Sequence, residues 1–452
     1  MFSRQFLLVL AAALPALADP VPARRIDGYK GIWFELGQKS QHGDKYSGGL
    51  GTYTANHAPM AVYSAAADKT FFVYGGTPTG DQRRLLAMVS YYDHKTRQVP
   101  RPAVVMDKSP VNDPHDNPSL TIDRQGHLWV FVSGRGRTRP GVIFRSTAPY
   151  SIDSFERMEQ AEITYPQIWS NKDGGSMLLF TKYTSGRELY WKTAGEDRKW
   201  SADHKLAGFG GHYQTSFHAN GKTATFFNHH PGGNVDRRTN LYYAQTTDSG
   251  RTWTTASGEP LPLPLTEVRN PALVLDLQAQ GRLMYTCDLN FDATGNPILL
   301  YVTSGDARPG PGGDPRQWQV TRWTGTAWDT RVITPAPHNY AMGSLWVTDS
   351  DWRIIAPTET GPQAPGAGGE IALWISRDQG KSWKKDRQVT TGSKFNHNYV
   401  RRPLHAKDPF FAFWADGNPD HPSESRLYFC DSTGTRIHQL PYEMSADGAL
   451  IE

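Results

Sequence analysis

The sequence of 452 residues holds only two cysteines, Cys287 and Cys430, so no disulfide framework can define its fold. Both are read as buried free thiols on strands, because a chain this long buries enough apolar surface without a covalent staple. Beyond the N-terminus no apolar run is long enough for a membrane helix. No basic run is present either, and the net charge of +4 is too mild for a nucleic-acid partner. It leaves room for an acidic polymer drawn to a local patch. Metal-ligand spacings such as H-x-x-x-H or paired Cys/His are absent, so no cofactor and no metal site are expected. Spacing is blind, however, to an ion held by histidines from separate strands. No segment sustains a helical period, apart from a turn around 151–159.

The N-terminus reads MFSRQFLLVLAAALPALADP. Arg4, the apolar run from Phe6 to Leu14 and Ala16-Leu17-Ala18 together make a cleavable export signal over residues 1–18. Asp19 stands where a lipoprotein would need cysteine. The expected location is therefore secreted or periplasmic, with no membrane partner, and the mature chain is expected to be a monomer. Aromatic content is 12%, and 43 glycines and 32 prolines punctuate the chain, which favours many short strands and tight turns over helices. Runs such as HLWVFVSG (127–134), SMLLFTKY (176–183) and FFAFWADG (410–417), bounded by Gly, Asp or Asn, are strand signals.

Seven segments open on His, Tyr or Arg and run into an apolar strand. They begin at His57, His115, Tyr165, His212, Arg269, His338 and His397, with gaps of 58, 50, 47, 57, 69 and 59 residues. A four-stranded propeller blade needs about this length. Two segments, Thr246–Trp253 (TTDSGRTW) and Ser376–Trp383 (SRDQGKSW), fit the Asp-box pattern S/T-x-D-x-G-x-x-W, in which Asp caps a turn, Gly takes a positive φ and Trp packs over the hairpin. A degraded copy lies at Thr193–Trp200. The motif marks the outer hairpin of a blade and has no catalytic content. The expected fold is all-β, a seven-bladed β-propeller forming one domain over residues 19–452. The Gly/Pro-rich stretches 308–318 and 361–370 are expected surface insertions.

If every innermost strand runs the same way, the seven openers ring one mouth of a central channel. Their neighbours Tyr213, Asn270, Tyr340, Tyr399, Arg401 and Arg402 join them. A single histidine at a strand start is ordinarily a turn or core residue, so the inference rests on the set. That set is rich in His, Tyr and Arg and poor in carboxylates. A glycoside hydrolase needs two carboxyl groups flanking the bond, and a sialidase-like enzyme needs a clustered Arg set; the Asp boxes fit a sialidase, but an early Arg-Ile-Pro segment is missing. A carbohydrate-binding propeller without activity is the third alternative. A β-eliminating lyase must neutralise a uronate carboxylate, take the C5 proton and protonate the leaving oxygen. His115 and Tyr165 suit the proton transfers. Lys182, Arg187, Arg237, Arg238 or Arg269 suit the neutralisation, and neighbouring cations are expected to lower the pKa of Tyr165. His57, His212, Tyr213, Asn270, His338, Tyr340, His397, Tyr399 and Arg401 are candidate substrate contacts. The loop NHHPGGNVDRR (228–238) could cover the mouth and bring His229 or His230 to a sugar.

The segments YKGIWFELGQ, DKYSGGLGTYTANHAP, HDNPSLTIDRQGHLWVF, LLFTKYTSGRELYW, GGHYQTSFHANG, HHPGGNVDRRTNLYYAQTTDSGRTW and NHNYVRRPL resemble the BNR-repeat-containing seven-bladed propeller polysaccharide lyases. Among these the chain most resembles the L-rhamnose-α-1,4-D-glucuronate lyases, and more distantly the ulvan lyases. The likeness runs over about residues 27–440. It implies β-elimination at rhamnosyl-glucuronate units of an acidic polysaccharide such as gum arabic or ulvan. It places the catalytic His–Tyr pair at His115 and Tyr165 and the neutralising cation at Lys182 or Arg187. Where the ulvan lyases carry a further His, this chain reads SGRGR (133–137), with Arg135. That departure leaves the division of labour between His115 and Tyr165 open.

Overall fold

The computed structural model describes residues 21–34, 37–171, 173–197 and 199–451; the expected leader, 1–18, lies outside them. Seven antiparallel sheets follow one another along the chain and close into a β-propeller. The innermost strands are Ala61–Ser64, Pro118–Ile122, Thr164–Ser170, Gln214–Ala219, Leu283–Phe291, Ser344–Val347 and Asn396–Arg401. Second strands such as Leu128–Val132 (LWVFV) and Pro297–Ser304 (PILLYVTS) are buried on both faces, because each blade is sandwiched between two others. Outer strands such as Lys384–Gln388 (KKDRQ) face water, and their charges keep that edge from pairing with another chain.

The ends of the chain add fifth strands to finished blades. Gly448–Leu450 pairs with Gln98–Pro100 on the outside of the first blade, and Val21–Pro22 pairs with Ser154–Phe155 on the second. The segment around 151–159 is therefore part of an extended strand, Ser154–Ala161, and the expected turn is not helical. Closure between the last and first blades uses a parallel bridge from Leu404 to Val62. It also uses Arg401, whose guanidinium donates to the carbonyls of Thr54 and His57. Arg401 is thus a clasp between blades, and burial lowers its pKa to about 10.

One opener is misplaced by the sequence reading. Arg269 precedes Leu273–Leu275, the outermost strand of the fourth blade, and its side chain is 86% exposed beside Asp276. Asn270 turns back onto Glu267 and Ala272. Neither reaches the channel. The fifth blade begins instead at Leu283.

Both Asp boxes form as expected. Asp248 accepts from Thr246 Oγ1, Thr252 N and Thr252 Oγ1 at 2.7–2.9 Å, and Asp378 repeats this with Ser376 and Ser382. A Cβ on Gly250 would come within 2.3 Å of Trp191, so the residue must be glycine for close approach as well as for its φ of 87°. Trp253 is buried against Trp191 of the preceding blade, 5.4 Å between ring centroids. Both cysteines are free and buried, on strands of the fifth and seventh blades.

Candidate active site

The starts of the innermost strands converge on a chamber of about 390 Å³ lined by Tyr46, Tyr53, Thr54, Asn56, Tyr165, Tyr213, Arg238, Thr286, Tyr340 and Met342. The Gly-rich loop before the first blade contributes Tyr46 and Tyr53, whose rings lie nearly parallel at 6.1 Å. Asn117 fixes that loop by donating to the carbonyls of Leu50 and Tyr53. Tyr46 also meets Tyr340 at 4.7 Å, and Tyr399 stands edge-on to Tyr53 at 5.0 Å. The loop 230–238 approaches from the other side. Lys45 forms an ion pair with Asp236 where the two loops meet, and burial, with Arg238 nearby, lowers the Lys45 pKa to about 7.

Three guanidiniums face this aromatic wall. Arg238 stands over the rings of Tyr213, Tyr285 and Tyr340 at 4.8, 4.7 and 5.2 Å and donates to the Tyr340 hydroxyl at 2.7 Å. Arg187 lies 5.4 Å from the Tyr183 ring and 6.0 Å from that of Tyr213. Arg135 lies 3.5 Å from Asp113, and its charge reaches Tyr165, Tyr183 and Tyr213. Burial pushes the Tyr213 phenol up, but these three cations outweigh it and hold the hydroxyl below its ordinary value. Tyr165 goes the other way. Burial, reinforced by Tyr213 and Tyr183, raises it well above 10 despite Arg135 and Arg187. The expectation of an acidified Tyr165 is corrected: the arginines act on its neighbour. The rings of Tyr165 and Tyr213 are 5.7 Å apart, and the Tyr165 hydroxyl influences Tyr213 without reaching hydrogen-bonding geometry.

His115 sits in a single turn, Pro114–Asp116, capped by Asp113. The Asp113 carboxylate accepts from His115 N at 3.0 Å and from Nδ1, and is itself held by Arg139 at 2.8 Å. Nδ1 therefore carries the proton, and Nε2 accepts from the Tyr53 hydroxyl at 2.7 Å. Burial lowers the His115 pKa, with Asp113 opposing and Arg135 assisting, so the ring is neutral near pH 7.

Three of the other histidine openers, His57, His212 and His338, are buried in the wall without facing the chamber. His57 accepts from Thr54 N and donates to His115 O; His212 accepts from Phe209 N and donates to Asn228 O. His338 accepts from Tyr340 N. Burial lowers all three to about 3. His397 is turned away, between Trp414 Nε1 and Ser393, in a separate surface groove with Asp416 and Tyr428. Lys182 pairs with Asp203 at 2.9 Å and rests on Tyr190, and Arg237 is exposed. Of the two candidates for the third-blade cation, Arg187 is the one at the chamber. His230 is fully buried with its ring 4.8 Å from that of Tyr213, whereas His229 packs on Phe209.

The sequence reading missed Tyr46, Tyr53, Asp113 as a partner of His115, Tyr183 and Tyr285. Two tyrosines inside an otherwise polar, Gly-rich loop were the available signal. No carboxylate lines the chamber among the described residues. That lining can receive an anion, and it lacks the flanking carboxyl pair of a glycosidase.

The sequence profile described as a BNR repeat-containing family member matches residues 70–336. The chain is 22% identical to an ulvan lyase, PL25, of Pseudoalteromonas sp. (strain PLSV), the match covering 61% of this chain and 63% of that one. It therefore spans somewhat less than two thirds of that relative. It is also 22% identical to an ulvan lyase of Alteromonas sp. (strain LOR), over 75% of this chain and 78% of the other. A solved PL25 ulvan lyase superposes with a TM-score of 0.70 at 16% identity, covering 91% of this chain and 96% of that one. The structure of such an enzyme bound to -[GlcA(1-4)Rha3S]- gives 0.69 at 15% identity, with the same coverage.

Proposed function

The chain belongs to the BNR repeat-containing family, and on that premise we propose that it is a polysaccharide lyase that cleaves rhamnose–glucuronate linkages by β-elimination, leaving a 4,5-unsaturated glucuronate. The observation that carries this reading is a chamber lined by Arg238 and Tyr213, with Arg187 6.0 Å from the Tyr213 ring and Arg135 near enough for its charge to act on that hydroxyl, while no carboxylate lines the wall among the described residues. A uronate carboxylate in that chamber would share the three guanidiniums, which lowers the cost of the enediolate formed when C5 loses its proton. The Arg–Tyr stacks hold the cations before substrate arrives, so little reorganisation accompanies the reaction. His115, neutral, and Tyr165, kept protonated, supply the proton acceptor and donor. The ulvan lyases similar to this chain support the substrate class. The leader-like residues 1–18 support action outside the cytoplasm, where such polymers occur, and we take the working unit to be a monomer.

Ultraviolet absorbance recorded during incubation with ulvan, and separately with gum arabic, tests the reading. A rise from the new C4=C5 double bond conjugated with the carboxylate is expected on at least one. New reducing ends without absorbance would replace elimination by hydrolysis, and binding without either would leave a carbohydrate-binding propeller.

A further inference from the structure

Resting on the lyase reading, the geometry points to Tyr53 as the catalytic group through which His115 takes the C5 proton, with Tyr165 as the separate donor to the leaving oxygen. His115 cannot meet a sugar directly. Its Nδ1 is committed to Asp113, and its Nε2 is occupied by the Tyr53 hydroxyl at 2.7 Å. Tyr53, by contrast, lines the chamber. Because its hydroxyl proton is directed at Nε2, the lone pairs of Oη are left for the chamber, which is the orientation of a base. The Asp113–His115–Tyr53 chain is fixed at each link. Asp113 is held by Arg139, and it accepts from both the backbone and the ring of His115. Tyr53 is gripped between Tyr46 and Tyr399 and at its backbone by Asn117.

In the step this defines, the C5–H bond breaks and its proton joins Tyr53 Oη. The proton already on Oη passes to His115 Nε2. The imidazolium that forms is stabilised by the Asp113 carboxylate. The electron pair left at C5 becomes the C4=C5 double bond as the C4–O bond breaks. The departing oxygen takes the Tyr165 hydroxyl proton. Afterwards the imidazolium returns its proton through Tyr53 and solvent to the Tyr165 phenolate, whose ring lies 6.0 Å from that of His115. No oxidant, metal or further reactant enters.

The test uses the full chain with an oligosaccharide prepared from ulvan and the variants Tyr53→Phe, His115→Gln, Tyr165→Phe and the double variant of the first two. Tyr53→Phe keeps the ring and its packing, and an unchanged melting temperature checks this. The single variants should each lose roughly a hundred- to ten-thousandfold in kcat. The double variant should be no worse than the worse single one, because the two residues act as one unit. In D2O, Tyr165→Phe should still exchange the C5 proton of recovered substrate, whereas Tyr53→Phe and His115→Gln should not. Activity of Tyr53→Phe within about threefold of the parent, retained C5 exchange in it, or losses that multiply in the double variant would overturn the assignment. An activity-independent arm separates this from failure of the lyase reading. The 15N resonance of His115 Nε2 should shift in Tyr53→Phe, and no shift removes the hydrogen bond and the proposal with it. If the parent makes no unsaturated product from any polymer while that shift is present, the lyase reading has failed and takes the catalytic role with it, leaving only the hydrogen bond.

Discussion

Replacing Arg238 by methionine removes a full positive charge while keeping most of the aliphatic stem. The guanidinium stands 4.7–5.2 Å from three tyrosine rings, so an anion placed against Tyr213 lies about 5 Å from it. At that distance and an effective dielectric near 20, one pair of unit charges is worth about 3 kcal/mol, or roughly a hundredfold in rate. The same interaction is felt by substrate and transition state, but charge concentrates on the carboxylate oxygens only as C5 is deprotonated, so much of the loss should fall on kcat. Arg238→Lys should land in between. It restores the charge but loses the planar group that covers three rings and meets Tyr340. The assay is the initial rate of absorbance gain on ulvan or gum arabic across a range of substrate concentrations, with a melting curve for each variant. Arg238→Met working within about threefold of the parent would refute the carboxylate-neutralising reading. So would a loss that appears only in KM, since binding without preference for the transition state does not speed the chemical step.

Among the third-blade cations, Arg187→Ala should cost about a hundredfold, whereas Lys182→Ala should leave the rate unchanged because Asp203 already holds that charge away from the chamber; rates of the two purified variants decide it. Stability should depend on pH through the buried histidines. His57, His212 and His338 have folded pKa values of about 3 against an ordinary 6.5, so the unfolded chain binds protons that the folded one refuses. Their contribution is complete above pH 6.5 and is lost as pH falls toward 3, at roughly 2 to 3 kcal/mol per ring by pH 4.5. Asp416, pushed up to about 6 by burial, opposes this with a single group's effect. A melting temperature that drops steadily as pH falls from 6.5 to 4.5 is expected, and one that holds to pH 4.5 would contradict the buried neutral rings. Trp253→Ala should cost about 3 to 5 kcal/mol, measured by denaturant unfolding, because it opens the seam against Trp191. Trp383→Ala should cost less, its ring being only partly buried.

Much of this architecture is legible in the sequence because a blade must restart at the same depth each time. Six of the seven openers precede innermost strands within six residues or lie inside them. The seventh fails for an identifiable reason. The fourth blade carries an Asp-box hairpin and a long connection between its third strand, Thr239–Thr246, and its outermost one, Leu273–Leu275. RNPALVLDL therefore looks like a blade entry while serving as a blade exit. The true entry, RLMYTCDL, opens on Leu283 after an ordinary turn, and its chemistry sits inside the strand at Tyr285 and Thr286.

The candidate site was harder to read than the blades, and side-chain reach explains why. An imidazole at a strand start is short and has two nitrogens, so it satisfies two backbone groups close to its own Cα. His57 and His212 do this, and the same bonds that make them good wall material keep them neutral and out of the chamber. Tyrosine extends past the wall, so Tyr165 and Tyr213 face the chamber from innermost-strand starts, while Arg187 and Arg238 reach Tyr213 from the starts of the third strands of their blades. His115 is the exception that shows the rule. Asp113 takes its Nδ1, and a hydroxyl from another loop takes the nitrogen that would otherwise look for backbone. Periodicity locates where residues start, whereas exposure to the chamber follows from what each side chain finds to bond within its own length. Tyr53 belongs to no repeat, and its place in the site depends on Asn117 holding a Gly-rich loop across the first two blades, a contact that no spacing rule encodes.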